Sequence, residues 1–410
     1  MDAKEKEILR DLAKRTAEIA ALPAQEEKRS LWRKLNGLKQ ERPMVMIDQV
    51  CWNEMNFGDE LTLKCESDYA RAFEYGLRLK LYQWKHFPVD MVMDNFIRVG
   101  KAIRGMGFGL GAKEEQLVTD ETNDVISHKY INQIITAEDI NKISLPVISH
   151  DSAETSRREE NANEIFGGII DVRISGAEVP ISVWDPISTW MGVEGACLAL
   201  ADEPDLMHAL VDRLVAGYMG MLDQMEEMGL LYGPQSTIHC TGAWTDELPG
   251  APWDPAKPKT KNMWTFGLAQ MFSTVSPAMF EEFEIIPNMP LYERFGLVYY
   301  GCCDPLDLKM KEVRKIKNAR KISMSPWASK ERGAAEICGD YVFSHKPNPA
   351  FLATSVFDEE LVRGDIRETI KICKNNGCPL ELIMKDVSTV KYEPQRLWRW
   401  AEIAMEEVCG

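Results

Sequence analysis

The pattern of hydrophobic positions divides the chain into a helical N-terminal part and a longer part in which short apolar runs alternate with helices. Residues 2–22 repeat apolar side chains at helical spacing, and Pro23 ends this helix. A second helical stretch follows over residues 26–38. We expect these two helices to form an N-terminal extension, residues 1–40, that packs on the main body.

Beyond residue 40 the pattern predicts buried strands that alternate with helices. The short apolar runs lie at residues 44–50, 89–93, 181–184, 237–240, 297–300, 321–324, 341–344 and 380–384. Helix signals stand between them, with starts near Pro204, Pro277 and Asp358. This alternation is typical of parallel βαβ units. The predicted fold is therefore α/β, a (β/α)8 TIM barrel over residues 41–410, with a doubly wound open sheet as the alternative.

Composition excludes several classes of partner. The chain carries 64 acidic and 48 basic residues, a formal net charge of -16, and an acidic surface repels nucleic acid phosphates. No window reaches the roughly 20 apolar residues that span a bilayer, and the charged N-terminus has no signal-peptide core. We therefore expect a cytoplasmic protein without nucleic acid or membrane partners, whose 10 cysteines are reduced.

The barrel prediction places reactive side chains at one end of the strands. Functional groups of such barrels cluster directly after the carboxyl ends of the strands. The residues at those positions are Glu54, Asp94, Asp185, His239, Cys240, Cys302, Cys303, Ser325, Lys346, Lys385 and Asp386. Within this set, we interpret Lys385 and Asp386 as an ion pair that orients the site, a purely structural salt bridge being the alternative. Glu54 is the favoured catalytic carboxylate.

A metal site is the second prediction for the strand ends. His239 and Cys240 precede a glycine, and Cys302 and Cys303 stand beside turn residues. Imidazole together with thiolates is a ligand set that suits zinc, and catalytic zinc sites keep one position open. Neighbouring cysteines rarely bind one ion together, so His239 with one of Cys302 and Cys303 is the central pair. The remaining cysteines are assigned to the core, where cysteine is common.

Five motifs at the strand ends resemble those of a known superfamily. They are His-Cys-Thr-Gly at 239–242, Tyr-Gly-Cys-Cys-Asp-Pro-Leu at 300–306, Lys-Ile-Ser-Met-Ser-Pro-Trp at 321–327, Lys-Pro-Asn-Pro-Ala at 346–350 and Met-Lys-Asp-Val-Ser-Thr-Val at 384–390. Together they resemble the uroporphyrinogen decarboxylase superfamily and, more narrowly, its corrinoid-linked zinc methyltransferase branch. The resemblance covers about residues 43–410 and is most specific after residue 230. It implies a (β/α)8 barrel with the site at the carboxyl-terminal mouth.

The resemblance favours methyl transfer over porphyrin decarboxylation. The decarboxylases carry an Arg-rich segment that grips substrate carboxylates, and residues 42–55 lack such a cluster. The methyltransferases carry a His-X-Cys…Cys zinc site. Here Cys240 directly follows His239, which leaves the ligand set open to include a carboxylate such as Glu54 or Asp304.

The resemblance implies a zinc-dependent O-demethylase component of anaerobic metabolism. It would move a methyl group from a small substrate, such as an aryl methyl ether, to a corrinoid (cobalamin) carried by a partner protein. Apolar side chains near strand ends are assigned to the substrate pocket, with core packing as the alternative: Trp52, Met55, Trp184 and Trp190. His345 and Lys346 are further pocket residues, although the Pro-Asn-Pro turn beside them also fits a structural role.

Three alternatives remain at this point. The first is the opposite half-reaction, from methylcorrinoid to a thiol or pterin acceptor. The second is a metal-free decarboxylase or lyase that uses Lys346, Lys385 and Asp386 on a small carboxylic acid. The third is a corrinoid-protein chaperone without catalytic activity. The direction of transfer and the formation of a homodimer are left open.

Overall fold

The computed structural model describes residues 2–118 and 126–410. No helix within these ranges is both long enough and apolar enough to cross a membrane. The helices, in chain order, are α1 (Ala3–Ala20), α2 (Pro23–Asn36), α3 (Asp68–His86), α4 (Ser152–Phe166), α5 (Trp184–Met191), α6 (Val193–Asp202), α7 (Pro204–Glu227), α8 (Pro277–Phe280), α9 (Ile286–Tyr292), α10 (Met310–Val313), α11 (Lys330–Ile337), α12 (Glu359–Asn375) and α13 (Gln395–Cys409).

The strands are shorter, and those that belong to the largest sheet lie mostly in the second half of the chain. They are β1 (Met44–Ile47), β2 (Phe96–Gly100), β3 (Ile103–Arg104), β4 (Glu114–Leu117), β5 (Ser127–Tyr130), β6 (Ser149–His150), β7 (Asp171–Ser175), β8 (Thr237–Ile238), β9 (Thr241–Gly242), β10 (Trp264–Gly267), β11 (Leu297–Tyr300), β12 (Ala319–Met324), β13 (Val342–His345) and β14 (Leu380–Met384).

Six of these strands form one parallel sheet, which confirms the α/β prediction. Its order is β1-β14-β13-β12-β11-β10, and all five pairs of neighbouring strands are parallel. Every residue of β11, β13 and β14 is buried. Parallel strands that are buried on both faces have nearly continuous apolar sequences. The hydrophobic pattern of the chain therefore predicted these three strands.

Backbone hydrogen bonds reach both edges of the sheet, but the strand predicted at residues 89–93 is wrong, because these residues form a bend and irregular chain. The Asp90 amide donates to the Val45 carbonyl over 2.9 Å and places residues 89–93 beside β1. At the other edge, the Ile181 amide donates to the Phe266 carbonyl over 2.8 Å, beside β10. Within residues 2–118 and 126–410 these two edges form no ladder with each other, so barrel closure is not observed there.

The predicted strand at 237–240 is wrong. Thr237–Ile238 and Thr241–Gly242 pair antiparallel in a short hairpin outside the main sheet. The chain reverses at His239 and Cys240, whose φ angles are 32° and 67°. The place in the sheet belongs instead to β10, which the sequence pattern missed. The run at 181–184 is also corrected, because Ile181 contributes one bridge and Trp184 begins α5.

Helices α1 and α2 confirm the predicted N-terminal pair and attach to different parts of the molecule. Helix α1 packs on α3 and α4 beneath the parallel pair β2-β7, in a second apolar cluster that includes Leu9 and Phe166. Helix α2 is bound to the main body, since buried Trp32 donates to the Asp90 carbonyl over 2.9 Å. Asn36 donates to the Gly242 carbonyl over 3.0 Å, which holds α2 against the hairpin.

Close packing of Gly242 against Trp32 gives a stability prediction. A Cβ at position 242 would lie 2.5 Å from the Trp32 ring, so Gly242→Ala should lower the free energy of unfolding by about 1–3 kcal/mol. Gly364, in the interior of α12, is the matched control, because a Cβ there meets nothing within 4 Å. Gly364→Ala should raise stability by up to about 1 kcal/mol. Urea unfolding of both variants measures the contrast, and an unchanged midpoint for Gly242→Ala would contradict the packing argument.

Candidate active site

The structure brings five of the predicted residues together at the carboxyl ends of β11 and β14. The Cys302 Sγ lies 3.5 Å from His239 Nε2 and 3.5 Å from Cys303 Sγ. The Lys385 ammonium donates to Cys302 Sγ over 3.3 Å and pairs with Asp386 over 3.1 Å. Cys303 Sγ lies 3.7 Å from the Asp386 carboxylate. These side chains are called the thiol cluster below, and Cys302 is at its centre.

The surroundings of Cys302 favour its thiolate form. The hydrogen bond from Cys303 lowers the pKa of Cys302 most, and it outweighs the opposing effect of burial; His239 and the Lys385 ammonium lower it further. The same thiol–thiol hydrogen bond raises the pKa of Cys303. Burial opposes the charge on Lys385, but the sulfur of Cys302 raises the pKa of that ammonium. The Lys385 ammonium is thus shared between the sulfur of Cys302 and the carboxylate of Asp386.

The imidazole of His239 is stacked on a neighbouring aromatic ring and is neutral. Its ring stacks on Phe266 with centroids 3.6 Å apart and an angle of 10° between the planes. Burial lowers the pKa of His239, so the ring is uncharged at neutral pH. The hairpin turn supplies its position, because the left-handed backbone at residue 239 directs the imidazole toward β10 and β11. A neutral imidazole is the form that binds metal ions.

Cys240 has a different chemical state from Cys302. Its thiol is buried beside the same turn, and burial raises its pKa, with the Asp48 carboxylate adding to the effect. Cys240 is therefore protonated at neutral pH. All ten cysteines are free, and the separation of Cys302 and Cys303 exceeds the roughly 2.05 Å of a disulfide bond.

The donor separations in the thiol cluster fit zinc pairwise. Ligands of a tetrahedral zinc ion lie about 3.5–3.8 Å apart, since their bonds to the ion are about 2.0–2.3 Å long. The His239–Cys302 and Cys302–Cys303 distances, both 3.5 Å, are of this size. Across residues 2–118 and 126–410, however, no three His, Cys, Asp or Glu side chains converge so as to hold a metal ion.

A buried polar network lies in the sheet next to the thiol cluster. Lys346 donates to the Tyr299 hydroxyl and, over 2.8 Å, to Ser344. Burial lowers the pKa of Lys346 to about 8. Nearby, Lys321 pairs with Glu381 over 2.7 Å, and neither side chain has any exposed surface. The predicted site residue Lys346 is thus part of the interior, within electrostatic range of Cys302.

Glu54 binds the segment that follows β14. Its carboxylate accepts the Thr389 hydroxyl over 2.8 Å, the Val390 amide over 2.7 Å and the Tyr392 amide over 3.1 Å. This segment begins three residues after Asp386. These hydrogen bonds link the segment that follows β1 to the segment that follows β14.

Most of the other predicted pocket residues lie in the core, and Trp52 is partly buried against it. Trp184 packs on Phe272 with ring centroids 4.6 Å apart, and Trp190 donates to the Leu110 carbonyl over 2.9 Å. Met55 has no exposed surface, and Trp52 lies behind Phe87. His345 is also buried, and neither of its ring nitrogens has a hydrogen-bond partner in the described part of the chain. Burial lowers the pKa of His345 to about 3.

A cavity of about 300 Å³ lies beside the hairpin that carries His239. Its lining combines apolar and charged side chains: Met46, Ile47, Asp48, Lys80, Gln83, Phe87, Val89, Met91, Val92, Met93, Asp94, Phe96, Arg98, Ser236, Thr237 and Trp244. The sequence signal for this cavity was the predicted strand at 89–93, with Asp94 at its end. Lys80 on α3 carried no such signal.

Comparison with known proteins gives a structural likeness only. No family model matches the chain, and no curated protein matches its sequence. Among solved structures, a methyltransferase from Methanosarcina mazei is similar, with a TM-score of 0.48 and 10% sequence identity, over 92% of this chain and 97% of that chain. Likeness at this level assigns neither a family nor an activity to the chain.

Proposed function

We propose that the protein is a zinc-dependent methyltransferase, an O-demethylase component that moves a methyl group from a small methyl ether to a corrinoid carried by a partner protein. The observation that carries the proposal is the distance of 3.5 Å between the Cys302 sulfur and Nε2 of the His239 imidazole. A thiolate and an imidazole side by side are typical ligands of catalytic zinc. The motifs around both residues, which resemble the corrinoid-linked branch, point in the same direction.

His239 Nε2 and Cys302 Sγ would hold the zinc ion, with Cys303 as the neighbouring donor. Bound there, zinc would supply Lewis acidity to the ether oxygen of the methyl donor. The chain's own residues prepare the site. The Lys385 ammonium balances the thiolate charge, and Asp386 in turn holds that ammonium over 3.1 Å. Phe266 fixes the plane of the imidazole.

The rim around the thiol cluster supports a protein partner. The loops after β11, β12, β13 and β14 expose Leu308, Trp327, Val356 and Tyr392, with exposed fractions of 63%, 75%, 75% and 62%. Large apolar side chains grouped at one surface are typical of protein interfaces. A docked corrinoid protein would cover this rim. The proposal includes closure of the six-stranded sheet into an eight-stranded barrel through the edge segments at 89–93 and 181.

Metal content and methyl transfer test the proposal together. Protein purified anaerobically without a metal-binding tag should contain about one zinc per chain, and His239→Ala should lose it. With reduced corrinoid and an aryl methyl ether, the zinc form should produce methylcorrinoid, visible in the absorption spectrum. Wild-type protein that binds no zinc even after addition and dialysis would overturn the proposal and favour a metal-free lyase. Zinc with methyl transfer only from methylcorrinoid to a thiol would reverse the direction.

A further inference from the structure

Two buried cysteines meet where α12 ends, at the opposite end of the sheet from the thiol cluster. Cys373 lies in the last turn of α12, and Cys378 follows the helix two residues before β14 begins. We propose that Cys373 and Cys378 form a redox site, a dithiol that hydrogen peroxide oxidises reversibly to a disulfide. The thiol cluster follows the other end of β14, so this inference does not depend on the proposed zinc chemistry.

The way in which α12 ends brings the two side chains together. The Cys378 amide donates to the Cys373 carbonyl over 2.9 Å, and the Gly377 amide donates to the Lys374 carbonyl over 3.2 Å. Gly377 has a φ of 70°, a left-handed conformation that glycine adopts without strain. These are the features of a Schellman motif, in which the side chains at the positions of Cys373 and Cys378 commonly touch. The pairing therefore follows from the local fold of the helix end.

The two thiols are hydrogen-bonded to each other, which gives them different reactivities. The hydrogen bond from Cys373 lowers the pKa of Cys378 most, against the effect of burial, and the backbone amide of Cys338 lowers it further. The same hydrogen bond raises the pKa of Cys373. Cys378 Sγ is held 3.3 Å from the Ala334 carbonyl of α11. Cys378 is therefore the thiol that ionises first, and the thiolate is the form that peroxides oxidise.

A surface pocket gives small molecules access to the pair. The pocket has a volume of about 910 Å³, and its lining includes both cysteines together with Gly377 and the exposed Cys409. Inside it, Cys373 and Cys378 expose only 1% and 2% of their surface. A bulky disulfide cannot exchange with such a thiol, because the two sulfurs need direct access to each other. Hydrogen peroxide is close to water in size, so it is the class of oxidant that fits the pocket.

Disulfide geometry favours this pair over Cys302 and Cys303. A disulfide joins residues whose Cα atoms are about 4.4–6.8 Å apart. The trans peptide between Cys302 and Cys303 fixes their Cα atoms about 3.8 Å apart, which is too close. The backbone hydrogen bond between Cys373 and Cys378 instead brings their Cα atoms into the disulfide range. The bridge therefore requires little movement of the backbone at the end of α12.

The oxidation balances with hydrogen peroxide as the only co-reactant. The Cys378 sulfur attacks one peroxide oxygen, the O–O bond breaks, and the departing hydroxide takes up the thiol proton to give water and a sulfenic acid. The Cys373 sulfur then attacks the sulfur of the sulfenic acid. The S–S bond forms as the S–O bond breaks, and the hydroxide leaves with the Cys373 proton as a second water. The two thiols lose two electrons, and the peroxide gains them.

Peptide mapping of the full-length chain tests the inference. The reduced protein is treated anaerobically with an equimolar amount of hydrogen peroxide, its remaining thiols are alkylated, and its peptides are analysed by mass spectrometry. The expected product is a disulfide between Cys373 and Cys378, which dithiothreitol reverses. Cys378→Ser should slow the oxidation of Cys373 at least about tenfold, since it removes the thiolate that reacts first. Cys409→Ser is the matched control, because Cys409 lines the same pocket, and it should form the disulfide as the wild type does.

Three results would overturn the inference. They are a disulfide that joins Cys378 to Cys338 or Cys409, oxidation of Cys378 to a sulfinic acid without a disulfide, and alkylation of both Cys373 and Cys378 after the peroxide has been consumed. The map of the wild-type chain requires no substitution, so a variant that fails to fold leaves the test intact. The result is also independent of zinc, and its failure would leave the proposed methyl transfer standing.

Discussion

Replacement of Cys302 by serine is expected to lower methyl transfer about a thousandfold and to remove zinc from the protein. The size follows from the several kcal/mol that a metal ion contributes to transition-state stabilisation, at about 1.4 kcal/mol for each factor of ten. Serine keeps the volume of the side chain but has no thiolate for the ion. Zinc content and the rate of methylcorrinoid formation are the two measurements, made on the same anaerobic preparation.

Cys303→Ser provides the comparison within the thiol cluster. Cys303 is the thiol with the raised pKa, so its loss should reduce zinc affinity less than the loss of Cys302. Cys338→Ser, an exposed cysteine elsewhere, controls for the general effect of removing a thiol. If Cys302→Ser keeps its zinc and activity while Cys303→Ser loses both, the assignment of the thiolate to Cys302 is wrong.

Lys321→Met is expected to lower the free energy of unfolding by about 3–5 kcal/mol, the second large effect. Lys321 and Glu381 are paired over 2.7 Å inside the sheet with no exposed surface on either side chain. Thr241 donates to the same Glu381 oxygen over 2.7 Å. Without the Lys321 ammonium, the buried Glu381 carboxylate loses the positive charge paired with it and keeps the hydrogen bond from Thr241. Urea unfolding followed by circular dichroism measures the change.

Two further variants decide the origin of that loss. The double variant Lys321→Met/Glu381→Leu should recover most of the stability, because an apolar pair of similar volume replaces a buried ion pair at little cost. Lys6→Ala, which breaks the exposed pair with Glu164, should change the free energy by less than about 1 kcal/mol. A double variant no more stable than Lys321→Met would show that packing, and not charge, causes the loss.

Local patterns predicted the elements whose burial is uniform. Pro204 marks the start of α7, because proline is common in the first turn of a helix. Strands β11 and β14 are buried on both faces, so each is a short run of mostly apolar residues that can be recognised from its own sequence. The structure places His239 Nε2 3.5 Å from Cys302 Sγ, although the strand assigned to His239 is a hairpin turn. Their role as a metal-binding pair stays a prediction.

The elements that were missed depend on distant contacts. Residues 237–240 read as a strand, but the chain turns at positions 239 and 240, where the His239 ring finds the face of Phe266. In β10, Thr265 and Gly267 interrupt the apolar run. Their burial is set by neighbours far along the chain, with Thr265 donating to the Val179 carbonyl over 3.0 Å. No local pattern contains that information.

The cavity was hidden for a similar reason. Lys80 stands on a helix with other charged residues, and no local pattern shows that its side chain lines a cavity. The aromatic residues chosen from the sequence lie in the core because size and apolarity alone do not distinguish a pocket wall from packing. Phe87, Phe96 and Trp244 become a wall only once β1, the 89–93 segment and the hairpin are side by side.

The hydrogen bonds made by Glu54 can form only late in the synthesis of the chain. Translation produces this carboxylate early, whereas its partners Thr389 and Val390 emerge from the ribosome after more than three hundred further residues, since 335 positions separate Glu54 from Thr389. The ammonium of Lys385 arrives equally late. During elongation, Cys302 therefore lacks one of the groups that lower its pKa. The contacts of Glu54 and of Lys385 can form only once β14 lies between β1 and β13.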